Sequence, residues 1–209
     1  MRQHVNPLSI VFNSVEPLPP LKDIFNDPIK PLHFDIGCGS GNFLFDLANH
    51  NKHWNYIGFE IREKLVNKAK LKLKEQDINN LFFAFGNAEY LIEDCIGKFP
   101  ENIVRSVSFN FPDPWFKKKH HKRRIIQPQL IHKIAQLMPK GGCISIKSDV
   151  LELFENMDMV INSSKCFIAY IYQDSEIFHS YNPINLKTNR ENYVIRKKLK
   201  VFEKLYKKI

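Results

Sequence analysis

The stretch His33-Phe34-Asp35-Ile36-Gly37-Cys38-Gly39-Ser40-Gly41-Asn42-Phe43 decides how the chain folds. A short apolar run carries an acid and breaks at a glycine turn, and an amphipathic helical pattern follows. Glycines let the backbone turn sharply and approach a ligand closely, and the helix that follows offers free N–H groups. The spacing is GxGxG with an acid two residues before the first glycine. A dinucleotide fingerprint, GxGxxG, would require glycine at position 42, which is Asn42. A nicotinamide-linked oxidoreductase is disfavoured on that ground.

Outward from this loop, short apolar runs alternate with helical patterns, the signature of βαβ units and a parallel sheet. Strands are expected at Leu32–Ile36, Tyr56–Glu60, Leu81–Gly86, Val104–Phe109, Cys143–Lys147 and Phe167–Tyr172. Helices are expected at Asn42–Asn49, Glu63–Gln76, Glu89–Ile96, Pro128–Met138 and about Leu151–Ile161. In the fourth, Leu130, Ile131, Ile134, Leu137 and Met138 recur on one face, Pro128 suits the first turn, and Pro139 with Gly141-Gly142 ends it. The tail Lys200–Tyr206 fits either an edge strand or a short helix, because its apolar residues also repeat at i, i+4. Residues 1–31 are rich in Pro and Asn without a sustained period and read as an irregular arm. Residues 32–209 then form a single catalytic domain.

Glu60 ends the second strand, where a carboxylate can accept hydrogen bonds from both ribose hydroxyls of a nucleoside. Asn87 follows the third, where an amide can donate to and accept from an adenine edge. Asp35, Gly37, Gly39, Gly41, Glu60 and Asn87 thus fall at the carboxyl ends of neighbouring strands, the usual ligand crevice of such sheets. The ensemble resembles the S-adenosyl-L-methionine pocket of class I methyltransferases. The resemblance implies an α/β fold: a doubly wound, mostly parallel seven-stranded sheet with helices on both faces, Rossmann-like.

The 209 residues suffice for one core without metals or disulfides. Cys38, Cys95, Cys143 and Cys166 form no CxxC pair and read as reduced thiols, and no metal site is expected. No apolar run approaches the roughly 20 residues of a membrane span, and the first twenty residues lack a signal-peptide core, so a cytoplasmic protein is expected. The net charge of +9 is localised. Lys117–Arg124 carries six cations and no acid, and Lys187–Lys208 carries nine cations against Glu191 and Glu203, so the rest of the chain is net acidic. Two basic patches on a mildly acidic body describe a polyanion footprint, although a charge run is also what a solvated face looks like.

After the fourth strand comes Ser108-Phe109-Asn110-Phe111-Pro112-Asp113-Pro114-Trp115-Phe116-Lys117, then Lys118-Lys119-His120-His121-Lys122-Arg123-Arg124 and Ile125-Ile126. Two prolines bracket Asp113 and restrict the backbone around it. A carboxylate so held, beside aromatic rings and a cationic run, suits a flat acceptor attached to phosphates. This segment closely resembles the signature of the tRNA (guanine-N7)-methyltransferases, and the resemblance extends over nearly the whole chain from Leu32. It implies methyl transfer from S-adenosylmethionine to N7 of the variable-loop guanosine of tRNA, position 46 in tRNA numbering. It also implies that Asp35, Glu60, Asn87 and Asp113 serve the methyl donor, Asp113 being catalytic as well. Lys117, Asp149 and the TxxE element Thr188-Asn189-Arg190-Glu191 would meet the substrate, and the cations Lys118, Lys119, Lys122, Arg123 and Arg124 are expected on the tRNA backbone. Members often carry phenylalanine where this chain has Arg190, and a glycine-rich stretch found in some beyond that point is absent here.

The contrast with amino-methylating adenine enzymes is chemical. An exocyclic amine must lose a proton and is held by an [ND]PPY turn, whereas guanine N7 offers an in-plane lone pair and has no proton to lose. It requires alignment rather than a general base. Two other readings remain at this point. A methyltransferase acting on another RNA, a protein or a small molecule would keep the glycine loop but leave the basic run without a purpose. A non-catalytic RNA-binding module would leave the intact donor residues without one. Nothing in the sequence distinguishes a monomer from a homodimer.

Overall fold

The computed structural model describes residues 5–12, 16–170, 176–182 and 184–209. Seven strands form one sheet in the order β3-β2-β1-β4-β5-β7-β6. They are β1 (Leu32–Ile36), β2 (Asn55–Glu60), β3 (Leu81–Phe85), β4 (Val104–Asn110), β5 (Cys143–Ser148), β6 (Phe167–Tyr170) and β7 (Phe202–Lys208). β1 to β5 pair in parallel, and β7 runs antiparallel to both β5 and β6. The first half of the chain therefore winds outward from β1 to β3, crosses back, and winds the other way from β4. β1 and β4 flank the point of reversal, where open α/β sheets bind ligands beyond the strand ends.

Helices cover both faces: α1 (Leu21–Ile24), α2 (Asn42–His50), α3 (Glu63–Lys74), α4 (Ala88–Cys95), α5 (Pro128–Leu137), α6 (Leu151–Ser163), α7 (Glu176–Tyr181) and α8 (Asn189–Arg196). One core lies under α4, α5 and α6, where Leu91, Ile131 and Met157 pack with Phe34, Phe109 and Ile146. The other lies under α2, α3 and α7, where Phe45, Val66 and Tyr181 pack with Tyr56, Phe83 and Leu205. β1, β2 and β5 are buried at every position, as strands covered on both faces must be, which is why they read as continuous apolar runs rather than alternating ones.

The expected strands and long helices all form, with ends moved by a residue or two. Ile171 and Tyr172, included in the expected sixth strand, lie outside the described residues. The tail is a strand, and not an edge one: β7 is inserted between β5 and β6. The helical alternative fails because a spacing of four is also an even spacing. In a strand it puts Phe202, Lys204 and Tyr206 on one face, where they meet Phe154 and Asp158 of α6. α7 and α8 lie outside the expected helices. α8 buries only Val194 and Glu191 and is polar on the whole, so it carries too few apolar residues to read as a core helix; it starts at a cap, the Thr188 hydroxyl accepting from the Glu191 N–H at 3.0 Å.

The arm before β1 is not separate from the body. Leu18, Leu21 and Phe25 belong to the core beneath α4 and α5, and the Leu18 N–H donates to Asp94 of α4 at 2.7 Å. Among the described residues no helix is long and apolar enough to cross a membrane.

The glycine loop follows β1. Gly37, Gly39 and Gly41 all have positive φ, at 84°, 60° and 74°. Gly41 carries a second constraint, because a Cβ there would stand 2.4 Å from the Phe83 ring. Gly41→Ala is expected to lower stability by about 2–4 kcal/mol, left-handed strain and overpacking together, in urea melts followed by circular dichroism. A loss below about 0.5 kcal/mol would show that the loop relaxes freely.

Candidate active site

β1 ends in Asp35, buried between the loop and β4. Its Oδ1 accepts from Ser108 Oγ at 2.7 Å and from Asn110 Nδ2 at 3.0 Å, both on β4. Burial pushes the Asp35 carboxyl up to about 6, against the two hydrogen bonds and with the help of the nearby Glu60 charge. Behind it, His33 Nε2 lies 3.1 Å from Ser108 Oγ, and its ring stacks on Tyr181 at 4.2 Å. Since the serine hydroxyl is committed to Asp35, His33 must donate from Nε2. Burial holds this imidazole down to about 3, so it is neutral, with its proton on Nε2.

Glu60 is 3% exposed at the end of β2 and accepts four hydrogen bonds. The Gly39 N–H donates at 2.9 Å, tying the glycine loop to this carboxylate. The other three come from the backbone N–H, Nε and Nη2 of Arg62, at 3.0, 2.9 and 2.9 Å. The Arg62 guanidinium is held charged by Glu60, with Asp113 adding to the effect. Asn87 caps α4 by accepting from the Glu89 N–H at 3.0 Å, and its Nδ2 donates to the Pro7 carbonyl at 3.2 Å. The amide expected to read adenine is thus also an anchor for the arm.

Asp113 sits on a turn whose ends are both left-handed: Phe111 has φ 51° and Trp115 φ 45°. Non-glycine residues there cost about 1 kcal/mol or more each and persist only where neighbours hold them. The Phe111 N–H donates to the Lys147 carbonyl of β5 at 2.8 Å, and its side chain is buried. The Trp115 ring lies against the Arg123 guanidinium, 5.2 Å from centroid to carbon.

These elements line one cleft, with about 1000 Å³ of space when its open mouth is counted. Gly37, Glu60 and Asn87 line one part and Asp113, Lys122 and Arg123 another, while Val5, Pro7 and Leu8 of the arm close a side. Asp35, Gly39 and Gly41 are not among the residues that line it. A carboxylate thus ends β1, a second ends β2, and an amide follows β3, around a glycine loop.

The expected substrate residues gather elsewhere, at the end of β5. Glu191 is 4% exposed and pairs with Lys147 Nζ at 2.9 Å, and Lys147 also meets Glu203 at 3.3 Å. Arg190 pairs with Asp149. Thr188 caps the helix, and Asn189 is exposed. None of these lines the cleft, and neither does Lys117, which is exposed beside it. The Phe111 to Lys147 hydrogen bond is what links the two groups. Of the basic run, Lys118, Lys119 and Lys122 are exposed and Arg123 partly so, on a short 3-10 helix over Lys118–Arg123. Arg124 is 4% exposed and does not present its charge to solvent.

Several residues of the site lie outside the expected set. Arg62 had a signal, a cation two residues beyond the ribose carboxylate. Ser108 and Asn110 had one too, as polar residues at alternate positions ending an apolar strand. His33 and Tyr181, far apart in sequence, and the arm residues Val5 and Pro7 had none.

Comparison with known proteins follows the same line. Residues 29–204 match the family Methyltransf_4, described as "Putative methyltransferase". A tRNA (guanine-N(7)-)-methyltransferase of Prochlorococcus marinus subsp. pastoris (strain CCMP1986 / NIES-2087 / MED4) is 54% identical over the whole of both chains. One of Synechococcus elongatus (strain ATCC 33912 / PCC 7942 / FACHB-805) is 39% identical over 99% of this chain and 95% of its own. Among solved structures, an antibiotic related methyltransferase superposes with TM-score 0.60 at 16% identity over 90% of this chain and 92% of its own, a likeness of fold. The loop, the crevice residues, the turn at Asp113 and full-length identity to these relatives agree: the chain belongs to the tRNA (guanine-N(7)-)-methyltransferase family.

Proposed function

We propose that the protein transfers the methyl group of S-adenosylmethionine to N7 of guanosine in tRNA, at the variable loop, as a cytoplasmic tRNA-modifying enzyme. The observation that carries this reading is the convergence on one cleft of Glu60, Asn87 and Asp113, with exposed cations at its rim.

Asp35 meets the ammonium of the donor, either directly or through one water, and Asn87 meets the adenine edge. Glu60 accepts from the ribose hydroxyls. Its acceptor sites are filled by Gly39 and Arg62, so donor binding exchanges part of the Arg62 fork for hydroxyls. The donor supplies an electrophilic methyl on sulfonium. The N7 lone pair forms the new bond, the carbon–sulfur pair returns to sulfur, and positive charge passes to the guanine ring. No proton leaves the base. Asp113, fixed on its turn at the strand end, offsets the charge arriving on the ring, and positioning supplies the rest. Lys118, Lys119 and Lys122 meet phosphates at the rim, Lys117 and Arg123 nearer the base. Asp149, Thr188, Asn189, Arg190 and Glu191 complete the acceptor side, with Glu191 giving up Lys147 or acting through it.

The decisive assay supplies radiolabelled donor and total tRNA, then maps N7-methylguanosine by borohydride reduction and aniline cleavage. Cleavage in the variable loop is expected; methylation with no cleavage there would refute the assignment. Asp113→Ala should lower kcat by about 10²–10³-fold while donor binding by calorimetry changes little. A near-normal rate would remove Asp113 from the chemistry.

Asp35 titrates near 6 in the free protein, whereas a bound ammonium favours its ionised form. Donor affinity should therefore be level from about pH 6 to about 7.5, below the titration of the donor's own amine, and fall by up to about tenfold per unit below pH 6. Asp35→Asn should bind weakly with no such dependence; a wild-type profile flat to pH 5 would mean that Asp35 does not face the ammonium. Charge at the rim is tested by salt. Replacing Lys118, Lys119 and Lys122 with alanine should reduce the slope of log affinity for tRNA against log salt by about one for each phosphate left without its lysine. An unchanged slope would make them a solvated face.

A further inference from the structure

Arg124 is the last cation of the basic run, yet its surroundings are those of an interior residue. Its Nε donates to the Pro114 carbonyl at 3.0 Å, and its Nη2 donates to Glu152 Oε1 of α6 at 2.7 Å. The same Nη2 lies 2.9 Å from His121 Nε2, which accepts from it. Its carbonyl accepts from Gln127 Nε2 at 2.9 Å, and that amide also donates to the His121 carbonyl at 3.1 Å. A guanidinium is planar with rigidly spread donors, so three partners on its Nε and Nη2 restrain its plane. Arg124 lines the cleft but is 4% exposed, and its Nε and Nη2 are committed to partners within the protein.

What it holds is the turn carrying Asp113. That turn is left-handed at both ends, a conformation the chain does not choose unaided. The Phe111 end is secured by Lys147 of β5. At the other end, the Pro114 carbonyl, next to Asp113, accepts from Arg124 Nε.

Resting on the methyl-transfer reading above, we propose that Arg124 is a positioning residue: it pins Pro114, and so the Asp113 carboxylate, to the start of α6, and it takes no part in binding tRNA phosphates. The basic run then divides by depth. Its exposed lysines meet the polyanion, and its buried end sets the geometry of the acceptor turn. Glu152, exposed to solvent, is the outer anchor of the clamp, its carboxyl held below the ordinary range by the Arg124 hydrogen bond.

The test uses the full chain in a Trp54→Phe background, leaving Trp115 on the turn as the sole tryptophan. In Arg124→Met, acrylamide should quench Trp115 more strongly than in the parent. kcat on tRNA should fall about 10- to 100-fold with KM for tRNA and donor unchanged. The salt slope of tRNA binding should stay at the parent value, whereas Lys122→Ala lowers it by about one. Glu152→Ala, which cuts the clamp at an exposed site and spares the fold, should shift quenching and kcat in the same direction, and Glu152→Gln, which still accepts the hydrogen bond, should restore both. A salt slope reduced in Arg124→Met as in Lys122→Ala, or parental quenching and kcat in both Arg124→Met and Glu152→Ala, would overturn the proposal. Should the parent fail to methylate tRNA at all, the substrate reading falls, and the quenching of Trp115 in these variants still decides whether the clamp exists.

Discussion

At the end of β1, Asp35 accepts hydrogen bonds from Ser108 and Asn110 of β4, across the line where the chain reverses its direction of winding. Most of the site hangs from this seam. It joins the strand that leads into the glycine loop to the strand that leads into the acceptor turn, so donor floor and acceptor wall keep a fixed relation. A buried carboxylate in such a place costs free energy unless neighbours satisfy it. Ser108 and Asn110 do so, and Ser108 is itself oriented by His33, clamped against Tyr181. Burial still leaves this carboxyl raised to about 6, against those hydrogen bonds.

The acceptor side shows a different economy. Guanine N7 has no proton to lose, so its methylation requires alignment rather than a general base. Two non-glycine residues held left-handed, a proline on each side of Asp113 and a buried arginine at the far end amount to a rigid mount. Lys147, whose side chain pairs with Glu191, also holds this turn, its carbonyl accepting from the Phe111 N–H. Paired groups of this kind are silent until a substrate offers them something better, which is how residues expected on the acceptor can be engaged with one another in the structure.

The arm illustrates how a segment without periodicity can still be part of a site. Its Pro7 carbonyl accepts from the amide of Asn87, and its Phe12 ring packs edge-on to Phe85 at 6.4 Å. No sequence pattern marks such contacts, because they are made by single groups at distances along the chain that no local rule spans.

What the sequence determined by itself was the set of structures that depend on local period and local chemistry. The glycine loop, the apolar strands, helices such as Pro128–Leu137 and the acids and amide at the strand ends were legible because each is written within a few consecutive residues. Tertiary structure decided the rest. It turned the tail into an inner strand, since a spacing of four serves both periods and only the gap between β5 and β6 chooses between them. It buried Arg124 while leaving Lys118, Lys119 and Lys122 in solvent, a difference invisible in a run of like charges because burial depends on what folds over a residue. It also closed Thr188-Asn189-Arg190-Glu191 into a cap with its acid paired to Lys147, 44 residues away. Residue type sets what a side chain can do; the neighbours brought to it from distant sequence set which of those things it does.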